Sequence, residues 1–282
     1  MSGGAIVPGK SWIYPISFKF DDQGNWSYMN LEEINYNFTI KDQHEDTKNL
    51  TQKEPQDGKE TLGVILAPDG NNLKMIDKLR SKSEKWKDLI TSGHITKTNA
   101  YQVLNTTILK SLEYPMPALT LTKKQCTYIM APALTAGLAK SGVSSRFPRE
   151  AVYGPKGTGG LGISSIYTVQ GTSRIAKLQE HLAATTMTGE LLRSAIEILK
   201  LEIGTGNDIF SLNYEKYEAL ATDSWIKDVW RYAYENKIRI FDDTTANLTL
   251  QRDSDSFIMS SIVQLGFNKT DLQHINKCRM HL

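Results

Sequence analysis

The sequence predicts an α+β chain, predominantly α, in which a small N-terminal β-hairpin and strand region precedes a helical bundle. Three observations carry this. Tyr14, Ile16, Phe18 and Phe20 alternate at period two, the spacing of a strand with one face on a core. From Leu73 the apolar residues change to steps of three and four, the period of a helix with one buried face. Charge changes along the chain too. Residues 1–72 carry 6 basic and 11 acidic side chains, residues 73–160 carry 14 and 5, and residues 161–282 carry 13 and 15. The chain therefore reads as a β-rich start (1–72), a basic helical region (73–160) and an α-rich remainder (161–282), without an internal repeat.

Residues 12–20 and 25–29 are predicted as two strands, with Asp21-Asp22-Gln23-Gly24 as hairpin turn chemistry. Residues 41–60 are polar and nearly free of apolar side chains, so a loop or flexible insert is expected. Residues 61–66 read as a short buried-type strand, ended by Pro68-Asp69-Gly70. Leu73, Ile76, Leu79, Trp86, Leu89 and Ile90 place a helix that stops at Gly93. Lys74, Lys78, Lys82 and Lys85 occupy its opposite face. A second helix covers residues 98–114 and ends at Pro115; a third covers 122–140 and is kinked by Pro132. Others are expected at 166–184, 190–202, 224–236, 257–265 and from Thr270 onward. The last reaches Leu282 without a stop signal and reads as a truncated element.

At 282 residues the chain is long enough for one large domain or two ordinary ones. It has no apolar run of about 18 residues, so no transmembrane helix is expected. The opening MSGGAIVPGKSW lacks the order of a signal peptide. Cys126 and Cys278 are far apart, which fits a reducing compartment better than a disulfide framework. An intracellular protein, cytoplasmic or nuclear, is expected. Sequons such as Asn49-Leu50-Thr51 then carry no weight.

Four short patterns suggest chemistry, and each has a plainer reading. Gly4 to Ser11, GAIVPGKS, matches the phosphate loop of nucleotide-binding proteins. That loop needs a strand before it and a helix after it, yet only three residues precede Gly4, and SWIYPISFKF follows with strand periodicity. Gly157 to Gly162 contains GxGxxG, but FPREAVYGPKG upstream is loop-like, so a tight turn between helices is expected. Phe241-Asp242-Asp243 resembles a paired-carboxylate metal box, yet its spacing is wrong and no third carboxylate is identifiable. His274, Cys278 and His281 have metal-like spacing on one helix but lack a fourth ligand. Neither a metal nor a cofactor is expected.

Several stretches taken in order resemble the C-terminal part of non-LTR, LINE-like retroelement reverse transcriptases. SGGAIVPGKSWIYPISF looks like the segment after the catalytic Asp-Asp box, where Lys10 matches a lysine near the active site. Thr61-Leu62-Gly63-Val64, running to Asn72, looks like the strand joining palm to thumb. Trp86 with Gly93, the stretch from Thr107 to Pro115, Ala131-Pro132, and Val152-Tyr153-Gly154-Pro155 leading to Gly160-Leu161-Gly162-Ile163 resemble the thumb and connection. The resemblance spans nearly the whole chain; its order and spacing are more specific than any single motif.

The resemblance implies a palm end, a thumb-like helical region and a connection, without the catalytic Asp motifs. No polymerase activity is then expected, because two-metal phosphoryl transfer needs acidic ligands. Met1 is expected to be an internal methionine of a decayed or misannotated reading frame, and a separate palm-containing chain is an implied partner. Residual function would be salt-dependent binding of a template–primer duplex. Lys78, Lys82, Lys85, Lys110, Lys123, Lys124, Arg146 and Arg149 are the candidate phosphate contacts. The alternatives are a domesticated protein-interaction module without nucleic-acid binding, and an NTP-binding protein acting through Gly4 to Ser11.

Overall fold

The computed structural model describes residues 11–22, 24–34, 36–41, 46–240 and 255–280. Strands near the start followed by helices make it α+β and mainly α. The chain divides into two compact units, residues 1–81 and 82–282.

Among the described residues the first unit holds eight short strands: β1 (Trp12–Ile13), β2 (Phe18–Phe20), β3 (Trp26–Tyr28), β4 (Thr39–Lys41), β5 (Thr47–Asn49), β6 (Thr51–Gln52), β7 (Lys59–Thr61) and β8 (Val64–Leu66). They form four two-stranded sheets. β1 pairs with β6 in parallel; β2–β3, β4–β5 and β7–β8 are antiparallel hairpins. The expected hairpin is β2–β3, in register Phe18 to Tyr28 and Phe20 to Trp26. Its turn is held by Asp21, whose carboxylate accepts the Asn25 amide at 2.7 Å.

Three expectations are corrected here. The strand expected over 12–20 is broken, because Pro15 has no N–H for a ladder and is buried, while the Tyr14 hydroxyl donates to the Asp57 carbonyl at 2.8 Å. The expected loop at 41–60 contains β5 and β6, since even polar backbone finds ladder partners. The single strand expected over 61–66 is a hairpin that turns on Leu62 and Gly63, at φ +50° and +86°. With Thr61 opposite Val64, this is the two-residue turn that favours glycine.

Helix α1 (Leu73–Ser92) begins in the first unit and ends in the second. The Asn71 side chain accepts the Leu73 amide at 2.9 Å and opens it. Met75 is buried, and its sulfur accepts the Ile65 amide at 3.3 Å.

In the second unit, α2 (Lys97–Val103) is capped by the Thr96 hydroxyl. It runs through a π turn (Leu104–Ile108) into α3 (Leu109–Glu113), so the expected helix at 98–114 carries one wide turn. α4 (Lys123–Lys140) opens with a Thr122–Gln125 capping box. Pro132 lacks an N–H, and the next amide, Ala133, donates to the buried Ser83 hydroxyl at 3.2 Å. A short α5 (Arg149–Tyr153), not anticipated from sequence, follows. The glycine-rich stretch folds back on it: Leu161 donates to the Ala151 carbonyl and Gly162 to that of Gly154. A Cβ on Gly160 would lie 2.2 Å from the Gly154 oxygen, so the glycines serve a tight turn.

The remaining helices are α6 (Ile166–Leu182), α7 (Met187–Ile203), α8 (Tyr214–Tyr217), α9 (Trp225–Glu235), α10 (Ile258–Gln264) and α11 (Lys269–Met280). α6 is central, packing against α3, α4, α7 and α9. Gly171 lets the Tyr232 ring approach, since a Cβ there would meet it at 2.3 Å. Trp230 is fully buried edge-on to Tyr214, with ring centroids 4.9 Å apart. Residues 82–160 and 161–282, distinct in charge, pack within one unit.

Candidate nucleic-acid interface

Phosphate binding requires cations that reach solvent and are not already neutralised. The eight expected contacts divide on this point. Lys78 lies in the first unit, where its ammonium pairs with Glu60 at 2.7 Å and donates to the Gly63 carbonyl at 3.0 Å. Lys110 pairs with Glu113 at 2.6 Å. Arg149 is half-buried: one guanidinium nitrogen donates to the Ser145 carbonyl at 3.3 Å, and the other is buried without a hydrogen-bond partner among the described residues. Lys82 is exposed and donates to the Ser111 carbonyl at 2.9 Å. Lys85, Lys123, Lys124 and Arg146 are exposed and form no ion pair among the described residues.

Tertiary contacts gather further cations. The Lys140 ammonium, at the end of α4, donates to the Thr91 carbonyl near the end of α1 at 3.4 Å. The aliphatic stem of Lys97 lies against Gly142, where a Cβ would meet Lys97 Cδ at 3.1 Å. The ends of α1 and α4 and the start of α2 therefore form one neighbourhood, with Arg146 in the loop that follows. Lys97 and Lys140 are not among the sequence-derived contacts; their nearness to the end of α1 and to Gly142 arises from contacts between residues distant in the chain. Lys123 and Lys124 open α4, at the end of a helix whose dipole favours anions. Residues 82–160 contain 11 basic and 4 acidic side chains.

Polar groups enter the interior of this unit between α6 and α9. Arg174 of α6, almost fully buried, approaches Asp228 of α9 at 3.6 Å; Arg231 holds the other carboxylate oxygen at 2.6 Å. Burial lowers Arg174 to about 10, and burial also raises Asp228 despite its two cationic neighbours. Tyr167 donates to Glu235 at 2.8 Å and is raised by burial and that carboxylate. Burial pushes the Cys126 thiol up to about 12, opposite to the activation a nucleophile needs. The Arg174–Asp228 and Tyr167–Glu235 pairs join α6 to α9.

Lys10, Gly4 to Gly9, Phe241-Asp242-Asp243 and His281 lie outside the described residues. His274 and Cys278 stand 3.9 Å apart on α11, and no group of three or more His, Cys, Asp or Glu able to hold a metal occurs among the described residues. No helix among them is long and apolar enough to cross a membrane. Comparison of the chain with protein-family models, curated proteins and solved structures gave no match.

Proposed function

We propose that the chain is a non-catalytic nucleic-acid-binding module, corresponding to the palm end, thumb and connection of a retroelement reverse transcriptase, with a separate chain as the source of any palm. The sequence resemblance supplies the family. The observation that supports binding is the set of exposed cations without carboxylate partners among the described residues: Lys85, Lys97, Lys123, Lys124 and Arg146. Such groups release counterions when they meet phosphates, and they read charge rather than base sequence.

The test is binding of an RNA–DNA duplex across a salt series. Wild-type affinity should fall linearly with log salt. Replacing Lys85, Lys97, Lys123 and Lys124 with Gln should flatten that slope by up to about 3.6 units, at roughly 0.9 per phosphate lost. No binding at low salt, or an unchanged slope in the variant, rejects the reading.

A further inference from the structure

Helix α7 is apolar on two faces. Ile196, Leu199 and Ile203 lie in the core. Met187, Leu191, Ile198 and Leu201 are 78%, 65%, 58% and 66% exposed. Positions 187, 191, 194, 198 and 201 step by four and three, the a/d seam of a helix that packs on another helix. Ser194 is the seam's polar member. A helix apolar all round belongs in a core, yet this face is in water. Beside it runs a groove of about 320 Å³, lined by Leu192, Ala195, Ile198 and Leu199 of α7 and by Trp225 and Ile226 of α9.

The rim is acidic. Glu190 and Glu197 flank the seam on one side and Glu202 on the other, where it accepts the Thr222 amide at 3.1 Å. Lys200 pairs with Glu197 at 3.0 Å, but its side chain is 3% exposed against 46% for Glu197, so the carboxylate is what a visitor meets. Arg193 points back, donating to the Leu182 carbonyl at 2.9 Å. Lys227, mostly covered, is paired with the fully exposed Asp223.

A second copy of α7 fits badly. Antiparallel packing sets Glu190 and Glu197 against their own copies, and parallel packing sets Glu197 against Glu202. Like charges across a seam are unfavourable and select other partners. We propose that this seam and groove dock an amphipathic helix of a partner protein, apolar at its a and d positions and bearing Lys or Arg on its flanks. This is helix-in-groove recognition. From 187 to 201 a helix rises about 21 Å, so two heptads of partner cover the seam. The inference does not depend on nucleic-acid binding.

The test uses the full chain and two labelled helical peptides of three heptads, each with Leu at a and d, one Lys-flanked and one Glu-flanked. Fluorescence anisotropy of the labelled peptide reports binding. The Lys-flanked peptide should bind saturably and at least tenfold tighter than the Glu-flanked one. Leu191→Ser or Ile198→Ser should weaken it tenfold or more with circular dichroism unchanged. Glu190→Gln, which alters no packing, should weaken it and reduce its salt dependence. Equal affinity for both peptides, absence of saturation, or indifference to these substitutions overturns the proposal. So does a concentration-dependent dimer that Leu191→Ser abolishes, which would assign the face to a second copy.

Discussion

Gln170 and Leu121 close a two-bond ring in the core of the second unit. The Gln170 side-chain oxygen accepts the Leu121 amide at 3.1 Å, and its nitrogen donates to the Leu121 carbonyl at 2.9 Å. Gln170 is nearly fully buried, so no water can substitute. The pair works as one rung of a ladder, fixing the segment between the Met116–Ala118 turn and α4 to the central helix.

Gln170→Ala should therefore destabilise the protein by about 3 kcal/mol, because it strands a buried donor and a buried acceptor on Leu121. Gln170→Glu keeps the size but, when ionised, cannot donate to the carbonyl. Its loss should be larger at pH 7 than at pH 4. Urea denaturation checks both, and a Gln170→Ala variant within about 0.5 kcal/mol of wild type would contradict the pairing.

Asp228 should leave a signature in the pH dependence of stability. Burial raises its folded-state pKa above the unfolded value. The native chain then holds this proton more tightly, so its contribution is complete at low pH and is lost as pH rises through the folded pKa. Asp228→Asn removes that titration. Between pH 4 and 7 wild type should lose stability relative to Asp228→Asn; parallel profiles would mean that Asp228 titrates normally.

The two cysteines should differ in reactivity. Cys278 is exposed and Cys126 buried, its pKa pushed up to about 12 by burial. A thiol reagent at pH 8 should label one equivalent in the native protein and the second only in denaturant. Labelling of both at one rate in native conditions would place Cys126 at the surface.

Lys78 and Lys85, equivalent by helix spacing, should behave differently. Lys78→Gln removes an exposed ion pair with Glu60, worth less than about 1 kcal/mol, and should leave the salt slope of duplex binding unchanged. Lys85→Gln should leave stability unchanged and lower that slope by about 0.9. Calorimetric melting and duplex titration separate the two, and equal effects would merge their roles.

The sequence made most helices and several of their ends legible, because those depend on neighbours within four or five residues; α5 and α8 escaped it. Gly93 and Pro115 act as stops, and the Thr122–Gln125 box and the Ser224 cap as starts. It also determined the charge contrast between residues 1–72 and 73–160. The fold alone set which lysines are engaged: Lys78 pairs with Glu60 across a hairpin, and Lys140 donates to the Thr91 carbonyl across two helices. It likewise decided that residues 41–60 supply strands, that Leu62 and Gly63 turn, and that one of the two apolar faces of α7 stays in water. Such outcomes depend on contacts between residues distant in the chain, and periodicity carries no information about which distant groups meet.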